Sequence, residues 1–287
     1  MAFPRAEQAQ RPEYALAPLI VREIEHGSSS HPAPRASTLA TPRDALRHSQ
    51  ADASRNTETI ERIAPPGALR LDDLDRLIAD PADPAVYVRQ SEVVLAGRRY
   101  TQFLYVWFHA GTRNRLYSQG LRMTLGPDGY PIVWEVFRPA LPRATTERPH
   151  VVFVSESFEE AAERICGPPR NAEAFSAERT DHAGGTVVLD VLPDGPVPLG
   201  PYVYLRGTDL AVTALRCRCS PQRFDQVVRT FYYDLRPMEE LLVYRAHLPP
   251  SLLSWIEGDE PGARSLDQQL CWPYPPAREK PLSSERP

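Results

Sequence analysis

Residues 1–68 hold eight prolines but only two aromatic side chains, Phe3 and Tyr14. A stretch of that make-up buries too little apolar surface to offset its conformational entropy, so the sequence predicts a disordered Pro/Ser/Arg-rich segment there. Residues 258–287 repeat the pattern with Pro261, Pro273, Pro275, Pro276, Pro281 and Pro287, which predicts a Pro-rich C-terminal tail. Between them, residues 69–257 have the length of a single domain.

Periodicity assigns the elements inside that domain. Leu71, Leu74, Leu77 and Ile78 recur at three and four residues and run into Asp80-Pro81, predicting a short opening helix. Val93-Val94-Leu95 and Arg99 to His109 then read as strands. In the second run Gln102, Leu104, Val106 and Phe108 alternate with Phe103, Tyr105, Trp107 and His109, so both faces are apolar and the strand should be covered on two sides. Leu121 to Leu125 and Pro131 to Phe137 flank Gly126-Pro127-Asp128-Gly129, a hairpin signal. Val151 to Val154 leads into Ser157-Phe158-Glu159-Glu160, a capping-box start for a helix with Phe158, Ala161, Ala162 and Ile165 inward.

Further strands are expected at 175–179 and at Thr186 to Leu192. Pro193, Pro196, Pro198 and Pro201 make a rigid connection. Tyr202 to Leu205 should pair with Leu210 to Cys219. After Ser220-Pro221 the stripe Phe224, Val227, Val228, Phe231 and Leu235 predicts a helix, and Pro250 to Glu257 a last short one. Hairpins outnumber strand-helix-strand units, so the fold class is α+β: a largely antiparallel sheet with two or three packed helices and disordered ends.

Charge and motifs narrow the chemistry. A net charge of -4 and a pI near 6.0 argue against a nucleic-acid partner. With no run of about 18 apolar residues and with Glu7, Arg11, Glu13, Arg22 and Glu23 in the first 25, neither a membrane span nor a secretion signal is expected. Lys280 is the only lysine, which removes Walker-type phosphate loops, Schiff-base lysines and Ser-Lys dyads. Cys166, Cys217, Cys219 and Cys271 are too few and too irregular for a disulfide framework, so a reducing, cytoplasmic setting is expected.

The candidate site is Cys217-Arg218-Cys219. Alternation puts Leu215, Cys217 and Cys219 on an inward face and Arg216 and Arg218 on a solvated one, with a helix N-terminus at Ser220 favouring thiolates. Two thiolates supply half of a tetrahedral zinc site or of another transition-metal site. His109, ending a buried strand, and Glu135, between Val133 and Phe137, are the helpers such a mixed site would need. Each has a plainer reading: the cysteines as small buried hydrophobes, His109 as a hydrogen-bonded strand-end residue, Glu135 paired with Arg122, Ser157 as a helix cap and Cys166 as inert.

Tyr105, Trp107, Phe108, Trp134, Phe137, Tyr202, Tyr204, Tyr232 and Tyr233 can line a groove for a protein partner or a small apolar ligand. The function placed first is therefore a non-catalytic cytoplasmic binding or assembly protein using an aromatic-lined face. The alternative is a metal- or thiol-dependent enzyme with Cys217 and Cys219 as ligands or reactive thiols. No catalytic residue is assigned.

Overall fold

The computed structural model describes residues 1–4, 11–22, 65–111, 115–137, 150–167, 186–207, 210–219, 230–257 and 266–274. Among them twelve strands form one sheet: β1 Ala2–Pro4, β2 Leu19–Arg22, β3 Gly67–Leu71, β4 Leu77–Leu95, β5 Arg98–Ala110, β6 Leu116–Leu125, β7 Pro131–Phe137, β8 His150–Ser155, β9 Thr186–Leu192, β10 Tyr202–Leu205, β11 Val212–Arg216 and β12 Phe231–Pro237. The helices are α1 Pro12–Ala15, α2 Glu156–Cys166, α3 Met238–Leu242, α4 Pro250–Glu257 and α5 Leu266–Gln269, with a 3-10 turn at Arg245–His247.

The strand order is β11-β10-β2-β1-β12-β4-β5-β6-β7-β8-β9, and β3 pairs with β4. β1 with β12, β2 with β10, β4 with β12 and β8 with β9 are parallel; the other pairs are antiparallel. The class is α+β, with a mostly antiparallel mixed sheet. The two ends of the order, β9 and β11, come back together, and Arg216 meets Asp190 across that seam at 3.1 Å. The sheet is thus rolled into a barrel.

Strand alternation divides the apolar residues between one interior and two outer layers. Inward go Phe103, Tyr105 and Trp107 of β5, Leu121 and Met123 of β6, Trp134 and Val136 of β7, Phe153 of β8, Val203 of β10, Leu215 of β11 and Tyr233 of β12. Leu104, Val106 and Phe108 face outward beneath Met238, Leu241, Leu252 and Trp255 of α3 and α4. Val133, Val152 and Val154 lie beneath Phe158 and Ala162 of α2 and Leu266 of α5. The double-sided strand, the β6–β7 hairpin and the helix at Pro250–Glu257 follow the sequence expectation.

Other expectations are corrected. Leu71 ends β3, Leu77 and Ile78 open β4, and Asp72 to Arg76 is the turn between them, because the Asp72 carboxylate accepts from the amides of Leu74 and Arg76, each at 2.9 Å, and from the Arg76 guanidinium at 2.6 Å. Leu74, counted as a helical core position, is 70% exposed at the tip. Phe231 and Leu235 belong to β12, not to a helix; the rest of that predicted helix, like the strand predicted at 175–179, lies outside the described residues. The cap of α2 is Ser155, whose hydroxyl accepts from the Phe158 amide at 3.1 Å, and Ile165 faces solvent.

The ends of the chain also enter the core. β1, α1 and β2 fill the gap between β10 and β12, with Ala2, Leu16, Ala17 and Ile20 buried. Leu266 and Leu270 pack on the second outer layer, and Trp272 sits edge-on to Phe158 and Tyr100 at 5.3 Å. Pro65 to Ala68 are buried as well, the last two opening β3, and the remainder of the two predicted disordered ends lies outside the described residues.

The Asp72 turn carries a pH prediction. The Arg76 side chain foremost, with backbone amides, lowers the Asp72 carboxyl from the usual 3.8 to about 2. A carboxyl depressed by folding contributes stability that is present above its unfolded value and lost as pH falls through its folded one. Carboxyl-carbon NMR should therefore find the Asp72 midpoint near 2, with the turn loosening between about pH 4 and 2; a midpoint near 4 contradicts the turn.

Candidate functional site

The residues proposed to share a site are not brought together. His109 is buried at the end of β5, opposite Tyr117, at the same parity as Tyr105 and Trp107. Glu135 lies on the other face of the sheet, where Arg122 reaches it at 3.2 Å. The Arg122 guanidinium also donates to the Trp255 carbonyl and lies 4.8 Å from the Trp255 ring centre. A sheet layer therefore separates the two helpers. Among the described residues no group of three His, Cys, Asp or Glu side chains is placed to hold a metal ion.

Cys217 and Cys219 are joined by a disulfide, and so are Cys166 and Cys271. This corrects the reading of free cysteines and, with it, the argument from free thiols to a reducing cytoplasm. A disulfide sulfur is not a thiolate ligand, so the oxidised pair does not supply half of a zinc site. β11 stops at Arg216, and Cys217-Arg218-Cys219 is a turn with both cysteines half-buried. The helix predicted to begin at Ser220 lies outside the described residues.

Arg218 is turned the opposite way from the expected solvated face. Its guanidinium donates to the carbonyls of Gly200 and Ala15, and burial lowers its pKa. Around it, Tyr105 donates to the Glu13 carbonyl at 2.8 Å and Tyr233 to the Pro18 carbonyl at 2.6 Å. Burial raises both phenols. The Gly200 amide donates to the Ala15 carbonyl at 3.0 Å, and a Cβ at Gly200 would collide with the Leu16 carbonyl. Polar groups of β5, β12 and the Cys217–Cys219 turn thus converge on the backbone of 13–18, leaving few buried carbonyls there without a donor.

On the outer side of the turn, the disulfide borders a recess shared with Tyr130, Trp134, Asp194, Gly195 and Val197. Its volume of about 30 Å³ is that of roughly one water molecule, far below the roughly 300–1,000 Å³ of small-molecule pockets. Gly195 allows the close approach of the 193–201 loop, since a Cβ there would stand 3.2 Å from Cys219 Cβ. Asp194 crosses to α2, accepting from the Ser157 amide at 2.9 Å.

The two disulfides do different mechanical work. Cys166–Cys271 spans 105 residues and Cys217–Cys219 spans two. In the chain-entropy account a loop of about 100 residues contributes roughly 4.7 kcal/mol, and a ring with one intervening residue only about 1.6 kcal/mol. The long-range pair fastens the segment after α5 to the end of α2; the short one restrains only its own turn.

No family model, no curated protein and no solved structure matches the chain. Sequence reasoning missed Arg218 as an inward anchor, along with Gly195 and Asp194. The continuous apolar run from Leu16 to Val21, interrupted only by Pro18, was the available signal for the segment Arg218 holds.

The Arg122–Glu135 pair gives a measurable consequence, because removing one partner of a buried pair strands the other charge. Glu135→Ala should lower unfolding free energy by about 3 kcal/mol in urea titrations, while an apolar replacement of both residues should cost much less. Equal losses in the two variants contradict a buried, mutually dependent pair.

Proposed function

We propose that the protein is a non-catalytic binding protein that takes an extended apolar segment of a protein partner at the barrel rim formed by the 193–201 loop and the β6–β7 turn. Of the aromatics expected on such a face, Tyr105, Trp107, Phe108, Phe137 and Tyr233 are core residues, each 4% exposed or less, whereas Tyr232 is 60% exposed, Tyr202 and Tyr204 are half-buried, and Trp134 lines the recess. What supports the reading is the rim itself. Val197 is 51% and Leu199 36% exposed, beside Tyr130, whose hydroxyl donates to the Pro196 carbonyl at 3.0 Å.

The four prolines of that loop reduce the ordering cost of association. Tyr274 extends the rim; burial first, then Asp128, Tyr100 and Asp194, raise its phenol to about 12. The size of the recess disfavours the small-ligand form of the proposal and favours a protein, which needs a surface and not a cavity.

A photo-crosslinking side chain placed at Val197, with one at the 80% exposed Val243 as the control position, tests this in cells. The expected result is a discrete protein adduct at 197 only, lost on Leu199→Asp, with thermal stability changed by less than about 0.5 kcal/mol. No adduct, or the same adducts at both positions, contradicts the proposal.

A further inference from the structure

We infer that Cys217–Cys219 is an exchangeable disulfide that reacts with thiols, with Cys219 Sγ the atom attacked and Cys217 Sγ the one that leaves. Its support is independent of whether the rim binds a protein. The ring it closes contains a single residue between the cysteines, so opening it releases little of the fold, unlike opening the 105-residue link from Cys166 to Cys271.

The surroundings of the two sulfurs differ in sign. The Cys219 amide donates to Cys217 Sγ at 2.9 Å, which stabilises negative charge on that sulfur, as a backbone N–H does for any thiolate. Cys219 Sγ instead lies 3.8 Å from the Pro193 carbonyl oxygen, whose partial negative charge opposes an anion there. The lower-pKa thiol is the better leaving group in exchange. Polarity therefore selects Cys217 to depart and Cys219 to take the new bond.

Access is consistent with this. Both cysteines are half-buried and border the open recess, so neither sulfur is sealed inside the core. Asp194, the acid in the recess wall, has one carboxylate oxygen engaged by the Ser157 amide at 2.9 Å.

In the step itself, a thiolate RS⁻ attacks Cys219 Sγ. The S–S bond to Cys217 breaks, its electron pair remains on Cys217 as a thiolate, and Cys219 is left in a mixed disulfide with R. A second thiolate attacks the sulfur of R, forms the external disulfide and releases Cys219 as a thiolate that takes a proton from water. Two thiols are oxidised and one protein disulfide is reduced.

The test uses the full chain with glutathione as the thiol, read by differential alkylation and mass spectrometry. Cys217–Cys219 should open about tenfold or more faster than Cys166–Cys271. When the reaction of the intact protein with glutathione is quenched early and alkylated, the trapped mixed disulfide should sit on Cys219, with Cys217 alkylated, about tenfold more often than the reverse. Simultaneous opening of both disulfides, or later opening of Cys217–Cys219, overturns the proposal. Equal or reversed adduct formation overturns the assignment of roles. Because the adduct assay needs no partner protein, its failure is separable from failure of the rim to bind one.

Discussion

The seating of residues 1–4 and 11–22 inside the sheet is the constraint on which the rest of the molecule depends. In the strand order β2 and β1 stand between β10 and β12, so the ladder connecting β11–β10 to the strands from β12 to β9 runs through two short segments from the start of the chain. Without them the barrel would have two open edges and an interior exposed along the gap, both of which are costly. Arg218, Tyr105 and Tyr233 hold the connecting backbone from inside the barrel. The buried charge of Arg218 is thereby satisfied by the carbonyls of Gly200 and Ala15.

This arrangement also explains where chemistry can and cannot occur. Metal binding by Cys217, Cys219, His109 and Glu135 required one cluster, but a barrel wall has two faces, and Glu135 sits at the opposite parity from His109. Its carboxylate belongs to the packing of α4, through Arg122 and Trp255. The cysteine turn lies beside the seam near β9, with its arginine directed into the barrel and its disulfide toward the rim. The same three residues thus anchor the chain start on one side and present sulfur on the other. The proposed binding rim and the proposed exchange centre share the 193–201 loop, so either activity would be sensitive to changes there.

Sequence pattern revealed much of the fold wherever local and long-range preferences agree. Phe103 to His109 is apolar on both faces because one face lines the barrel and the other meets helices. The 121–137 hairpin is legible because Asp128 braces its own turn, accepting from the Tyr130 amide at 3.0 Å. Where two periods coincide, pattern misleads. Phe231 and Leu235 are four apart, which fits a helix turn, but with Tyr233 they also fit the inward face of a strand, and pairing with β1 and β4 decides the matter. Leu71, Leu74 and Ile78 mimic a helix while Asp72 folds the chain back between them. The seating of 1–4, 11–22 and 266–274 was illegible from composition, since a few apolar residues gain their burial only from strands and helices distant in sequence. Cys166 and Cys271 meet for the same reason. Of the candidate site, the proximity of Cys217 and Cys219 was legible; the disulfide, the inward Arg218 and the separation of His109 from Glu135 were not.

The most direct measurement of the central claim is native-state hydrogen exchange along the N-terminal segment. If 16–22 completes the barrel, the amides of Leu19, which donates to the Pro201 carbonyl, and of its neighbours in β2 should exchange as slowly as those of β5 and only through global unfolding. Exchange there at the rate of an unfolded chain, while β5 stays protected, would mean that the sheet stands without this segment and would contradict the account.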